Sequence, residues 1–242
     1  MRELKKDAAV WENYRRFPEP YRRIRVAYID AARKRPEEFR RRLDDFIEKT
    51  RLNRIIAGYE GIDRDYLQTE PRMETERLIL DRIRATDKED YFNNISHDRK
   101  VLETFVCRYA ETLETFDFSG YPERDDLFAI RMKETGKLIG IVLYFDEADG
   151  TCEIGYGIGS AHWGHGYAAE AVRRFLDYLF AEIGMRTVTA SYFTGNDASR
   201  RVMEKCGMTY LRFSEKEMEY LGKMRDLTYY AIERSSWEKT VR

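Results

Sequence analysis

The 242-residue chain predicts a mixed α/β domain preceded by a small all-helical module, and three observations carry that reading. Up to about residue 59, apolar residues recur mainly at spacings of three and four, which suits helices. From Met73 onward, short apolar runs alternate with helical stretches, the pattern of a sheet flanked by helices. Between Cys152 and Phe193 a strand, a glycine loop, a helix and a second strand follow one another, and a helical crossover of this kind joins parallel strands.

Composition narrows the class. Net charge is −1, yet residues 1–59 hold 17 Lys/Arg against 10 Asp/Glu (+7) while the remainder holds 26 against 34 (−8). A basic module beside an acidic domain suits either an anionic partner such as RNA or a solvated face complementing the domain; the second is preferred, so no nucleic acid is expected. Cysteines 107, 152 and 206 share no metal-ligand spacing and leave one over, so neither a metal nor a disulfide framework is expected. With no apolar signal core and no run of 18 apolar residues, the chain is expected to be soluble and cytoplasmic, with no membrane partner.

The elements follow in order. In the module, Pro18 and Pro20 interrupt the first helix. Pro20 suits the first turn of a second helix carrying Tyr21, Ile24, Tyr28, Ile29 and Ala32, and Pro36 opens a third with Phe39, Leu43, Phe46 and Ile47 on one face. Gly58 and Gly61 mark its end. The apolar faces are few for an independent core, so the module is expected to dock on the domain or on a second copy, as in a homodimer. Residues 60–72 are the expected linker and 73–242 the domain. There a strand near 76–82 leads to helical stretches from Asp87 to about Phe116, broken near Ser96–Asp98. Strands 127–133 and 138–145 flank a turn at Thr135-Gly136. A loop, 146–150, enters the strand Cys152–Ile158, followed by helix 166–183, strand 187–193, helix 198–206 and strands 209–213 and 228–234.

The loop Trp163-Gly-His-Gly-Tyr-Ala168 carries the functional signal. Glycines between a strand and a helix leave backbone N–H groups unpaired at the positive end of a helix dipole, a place suited to phosphate or pyrophosphate. Gly164-x-Gly166-x-x-Ala169 also satisfies a dinucleotide fingerprint, but no acid follows before Asp197, where a ribose-binding carboxylate would close the next strand. No Gly-Lys-Ser/Thr follows, which excludes a P-loop.

Taken together, Trp163, Gly164, Gly166, Tyr167, Ala168, Glu170 and Ala171, then Asn196, Ser199, Val202 and Gly207, and the opening Met73–Leu80, resemble the GCN5-related N-acetyltransferases (GNAT), in the branch of RimJ- and RimL-like enzymes. Met208 stands where that pattern has an aromatic residue. The resemblance spans roughly residues 73–240 and implies a mostly antiparallel sheet with a central parallel pair, acetyl-CoA as cofactor, and transfer of acetyl to a primary amine such as a protein N-terminus. Closely similar sequences act on small amines or antibiotics, and a non-catalytic acyl-CoA-binding regulator is the rival of another class. Residues 1–59 resemble, over a shorter match, the bacteriocin-protection (OmpD-associated) family.

Transfer needs a cradle, a polarised carbonyl, a neutral amine and a proton for the departing thiolate. The resemblance implies that the two parallel strands splay, with the pantetheine arm pairing at the free edge and the Ile158 N–H in an oxyanion-hole role. Trp163, Gly164, His165, Gly166, Tyr167 and Ala168 would form the cradle. Gly155 and Gly157 suggest a bulge or a close backbone approach. Asn196 is read either as a helix cap or as a contact to the pantetheine or substrate amide. The resemblance puts Ser199 near the sulfur as proton donor, although relatives place a tyrosine on this helix where Met203 stands. Relatives also carry a glutamate base on the strand that here offers Ser191 and Tyr192. Glu153 is therefore the candidate base, with a solvent-facing or sheet-edge carboxylate as the alternative. Glu170 is expected to complement the helix dipole and tie down the loop. His162 and His165 flank the glycines either as phosphate contacts or as plain loop positions.

Overall fold

The computed structural model describes residues 3–17, 19–52 and 71–240. The chain divides into two compact units, one of residues up to 70 with Ala181–Gly184, the other Pro71–Phe180 with Met185–Arg242. Of the expected linker only Pro71 and Arg72 fall within the described residues, and Pro18, Gly58 and Gly61 lie outside them.

The first unit holds three helices, α1 (Ala8–Arg16), α2 (Glu19–Asp30) and α3 (Pro36–Arg51). Asp7 caps α1 by accepting from the N–H groups of Ala9 and Val10, at 3.0 and 3.1 Å. The Asn13 amide donates to the carbonyls of Thr50 and Arg51, satisfying acceptors that the end of α3 leaves open. Leu4, Val10, Tyr14, Tyr21, Leu43 and Phe46 are among the side chains buried together here. Aromatic residues on α1 and α3 meet edge to face, as Tyr14 and Phe46 do at 6.2 Å.

The second unit is built on an eight-stranded sheet. Its elements are β1 (Met73–Glu74), β2 (Leu78–Arg82), α4 (Lys88–Tyr91), α5 (Arg99–Leu102), β3 (Leu127–Met132), β4 (Leu138–Ala148), β5 (Thr151–Ile158), α6 (Tyr167–Asp177), β6 (Thr187–Phe193), α7 (Asp197–Lys205), β7 (Thr209–Tyr220), β8 (Lys223–Glu233) and α8 (Arg234–Thr240). The strand order is β1-β2-β3-β4-β5-β6-β8-β7, and every pair is antiparallel except β5–β6. Ala171, Phe175, Leu176, Leu179 and Phe180 are buried, as the expected inner face of α6 and its continuation requires. Arg131 on β3 is buried with Asp81 and Asp87, each 2.6 Å away, a paired charge rather than a bare one. Trp237 donates its indole N–H to Asp177 at 2.7 Å and packs on Phe180.

Four expectations are corrected. The helix proposed to reach Phe116 stops at Leu102, because Phe116, Phe118 and Tyr121 turn in to pack around Tyr91 at 4.7–5.9 Å, and burial of rings outweighs helix propensity. The loop at 146–150 shrinks to a two-residue turn, Asp149-Gly150, with φ of 48° and 73° between paired Ala148 and Thr151. Helix 166–183 is α-helical only to Asp177 and continues as a π-helical segment, Tyr178–Ile183. The last two strands form a much longer hairpin that closes at Leu221-Gly222, again with positive φ at both positions.

Candidate functional site

Strands β5 and β6 pair from Thr151↔Thr187 to Ile154↔Ala190 and then part. Beyond that point β5 stays on β4 as far as Ile158↔Gly140, and β6 stays on β8 as far as Phe193↔Leu227. Gly159 donates its N–H to Ile139 on β4 at 2.9 Å. Strand alternation therefore turns the N–H and C=O of Ile158 to the opposite, open side. There the Ile158 carbonyl accepts from the Trp163 indole at 2.6 Å, which anchors the glycine loop to the strand end. No bulge occurs at Gly155 or Gly157, but the backbone approach does at Gly157: a Cβ on Gly140 of β4 would stand 2.5 Å from the Gly157 carbonyl oxygen. The Phe105 ring lies against both glycines, and a Cβ at Gly157 would stand 3.1 Å from it.

The loop itself requires glycine. Gly164 and Gly166 have φ of 81° and 82°, and Gly166 is the left-handed residue that opens α6. A Cβ at Gly164 would meet nothing within 4 Å, and one at Gly166 only the Arg77 guanidinium at 3.7 Å. The constraint is backbone conformation and the open space in front of the loop, not crowding behind it. That space is a cavity of about 370 Å³ bounded by the end of β5, the first turn of α6, α7 and the end of α5. It fits an acyl-CoA: helix N–H groups for phosphate at one end, and the open edge of β5 for an amide-bearing arm. Arg201 and Lys205 of α7 add basic groups to its wall.

Of the sequence candidates, Ile158, Trp163, Gly164, Gly166, Tyr167, Ala168, Asn196 and Ser199 line this cavity, as does His162. Burial and nearby His165 hold the His162 imidazole below its usual pKa. His165 is absent from the lining; its ring stacks on Tyr167 at 5.6 Å. Behind the loop, Glu170 accepts from the Thr75 hydroxyl at 2.5 Å and from the Arg77 backbone N–H and Nε at 3.0 and 2.8 Å. Arg77 also donates to the His165 carbonyl at 3.1 Å. Burial alone would raise the Glu170 carboxyl, but these donors hold it below the ordinary range.

Asn196 caps α7, its side chain accepting from the Ser199 N–H at 3.2 Å. The Ser199 hydroxyl lies 2.9 Å from the Tyr156 hydroxyl. Met203 stands on the helix where relatives place a tyrosine, and here the tyrosine comes from the strand instead. Glu153 lies outside the cavity lining, on the face of β5 opposite Tyr156, where the Ser191 hydroxyl donates to it at 2.6 Å. Burial pushes the Glu153 carboxyl up, and Asp146 and Glu217 reinforce that against the Ser191 bond. Thus Glu153 on β5 reaches the β6 position where relatives were expected to carry their own glutamate. Arg77, Phe105, Tyr156, Arg201 and Lys205 were the residues that sequence reasoning passed over.

Residues 77–209 match the family model of the acetyltransferase (GNAT) domain, and residues 1–53 match that of bacteriocin-protection, YdeI or OmpD-associated proteins. The uncharacterized N-acetyltransferase YoaA of Bacillus subtilis (strain 168) is 30% identical over 171 residues, 67% of this chain and 96% of YoaA. Among solved structures, a GNAT-family acetyltransferase from Bacillus anthracis superposes with a TM-score of 0.61 at 25% identity, covering 68% of this chain and 99% of its own. The ribosomal-protein-S5-alanine acetyltransferase of Vibrio fischeri shares the fold with a TM-score of 0.59 at 20% identity, over 69% and 98% of the two chains. The chain belongs to the GNAT acetyltransferases, enzymes whose acetyl donor is acetyl-CoA. No helix among the described residues is long and apolar enough to cross a membrane.

Proposed function

We propose that this acetyltransferase acts in the cytoplasm on the α-amino group of protein N-termini, with residues 73–242 carrying the chemistry, 60–72 as linker and 1–59 as an accessory module. The observation that carries the reading is the parting of β5 and β6 directly beside the glycine loop, so that one cavity meets a phosphate cradle and an open strand edge. The Vibrio fischeri enzyme, named as a ribosomal-protein-S5-alanine acetyltransferase, supports a protein acceptor.

Bound acetyl-CoA supplies an activated acetyl thioester. The N–H groups of Gly164–Ala168 hold phosphate oxygens at the α6 N-terminus, with Trp163 and His165 shaping the loop and Tyr167 beginning the helix. The Ile158 N–H, turned to the open side, donates to the carbonyl oxygen as charge develops on it. Asn196 fixes the start of α7 and, through it, Ser199. Ser199 Oγ, oriented by Tyr156, holds the proton that the departing sulfur takes up. Glu153, outside the cavity lining on the other face of β5, would receive the proton of the incoming amine through water; because a free α-amino group has a pKa near 7.7–8.0, this demand on the base is modest.

The test is release of CoA with three acceptors: peptides with free N-termini, the same peptides N-terminally blocked but bearing lysine, and small polyamines. Turnover confined to free N-termini is the expected result. Faster turnover of small amines would replace the acceptor assignment, and no turnover with any amine would point to a regulator.

A further inference from the structure

A second cleft opens beside the transfer cavity, and its charges are sorted. It shares Thr104, Asn196 and Ala198 with that cavity, while its far wall is the tip of the β7–β8 hairpin, with Leu221, Lys223 and Arg225. The acidic residues Glu103 and Asp197 adjoin the shared wall in sequence; the basic residues Lys223 and Arg225 belong only to the far wall.

Arg225 is built in rather than loosely exposed. Its guanidinium stands 5.2 Å over the Phe193 ring, and Phe193 stacks in turn on Tyr220 at 5.5 Å. The Tyr220 hydroxyl donates to the carbonyls of Phe105 and Cys107 and accepts from the Cys107 N–H, pinning the hairpin to the segment after α5. Yet Arg225 Nε is buried without a hydrogen-bond partner, and among the described residues no carboxylate pairs with this side chain. A guanidinium that lines an open cleft with no carboxylate partner is matched to an anionic acceptor that arrives there.

We infer that the acceptor is an amine that also carries a carboxylate, bound with its nitrogen toward Glu103 and Asp197 at the transfer cavity and its carboxylate on Arg225, with Lys223 adding long-range attraction. Asp197 is partly engaged by Arg200 at 3.2 Å, which leaves Glu103 as the principal attraction for an arriving ammonium. The flat fork of arginine suits a carboxylate better than a lone ammonium would. The inference rests on the acetyl-transfer reading and narrows it to acidic acceptors.

The experiment compares C-terminally amidated peptides with free N-termini that differ only as Glu or Gln at the second position, beside free glutamate and its α-amide. For the full-length protein, kcat/KM should favour the carboxylate member by about tenfold, equivalent to one charge-assisted pair. The peptide pair winning identifies a side-chain carboxylate as the partner, and the amino-acid pair winning identifies an α-carboxylate. R225Q should bring the ratio to within about twofold with the acetyl-CoA KM unchanged, and R225K should retain part of it. Equal rates for both members in the wild type, or a ratio that survives R225Q, would overturn the assignment. If no amine turns over, the transfer reading itself fails; peptide affinity measured by calorimetry on the CoA complex then decides the Arg225 assignment by the same ratio.

Discussion

Tyr156 Oη sits 2.9 Å from Ser199 Oγ and 3.1 Å from the Ser199 carbonyl, so one phenol grips both ends of a single residue. Burial pushes the Tyr156 phenol far above its usual pKa, which keeps its proton in place at any working pH. S199A should therefore lower kcat by about three- to tenfold while the KM for acetyl-CoA changes little. Y156F should cost less, and the double variant should be no worse than S199A, because the tyrosine acts through the serine. A change confined to the cofactor KM would reduce Ser199 to a binding residue.

Arg77, in the bend between β1 and β2, ties that bend to the glycine loop through Glu170 and the His165 carbonyl. R77A should weaken acetyl-CoA binding by about five- to tenfold, the worth of one charge-assisted hydrogen bond to a positioned loop. E170Q should do the same with less loss. The Glu170 carboxyl sits below its ordinary range, so its stabilisation is present above the unfolded pKa and disappears as pH falls through the folded one. Melting followed from pH 6 to pH 3 should show that acid loss in the wild type and little of it in E170Q.

For Gly166→Val the two costs separate. A left-handed φ of 82° at a branched residue costs about 1–3 kcal/mol, enough to lower the melting temperature without unfolding the chain. Beyond its own chain neighbours the nearest atom to the new Cβ is the Arg77 guanidinium at 3.7 Å, so the side chain has room to occupy the phosphate space. Acetyl-CoA binding should vanish in calorimetry; unchanged affinity in the folded variant would exclude the loop as the cradle.

The raised Glu153 carboxyl sets a pH signature. Activity should climb with pH as this group loses its proton, with an acid limb above the ordinary glutamate range, and E153Q should lose that limb. Stability moves the other way: a carboxyl raised in the folded state favours the protonated form, so stability falls as pH rises through its folded pKa. Melting temperatures of E153Q and wild type should diverge in favour of E153Q between pH 4 and pH 7. An unaltered rate profile in E153Q would assign Glu153 to the sheet alone.

Every residue lining the transfer cavity lies between Val101 and Lys205. Deleting residues 1–65 should accordingly leave acetyl-CoA affinity within about threefold, a change below 1 kcal/mol. A loss of about tenfold in a folded truncation would show that the helical segment helps to form the site.

The strand–loop–helix–strand unit was legible because each step has a local signature: alternation in 152–158, Gly164 and Gly166 where φ must be positive, and Asn196 where α7 needs a cap. Tyr156 escaped notice although the same alternation sets it on the face of Cys152 and Ile154, because a lone tyrosine in a strand reads as core. Arg77 and Glu170 lie 93 residues apart, and no local pattern pairs them. The long β7–β8 hairpin was hidden by Glu215–Glu219, a charged run at an edge where both faces are wet and alternation carries no signal. The Phe116, Phe118 and Tyr121 rings fit a helix by composition and depart from it only through what they pack against.

A sheet of eight strands joined at its middle by only four rungs, Thr151 to Ile154, behaves mechanically as two leaves on a short seam. Whatever lies in the gap becomes a continuation of that seam. Occupancy at 100 times the dissociation constant would add about 2.7 kcal/mol to folding. Its imprint should be local: the amide protons of Tyr156 and Ile158 should exchange more slowly with solvent when CoA is present, while those of β2 and β3 keep their pace. Breathing of the empty enzyme should begin at the open end of the seam, which makes cofactor supply a factor in how long the protein survives proteolysis.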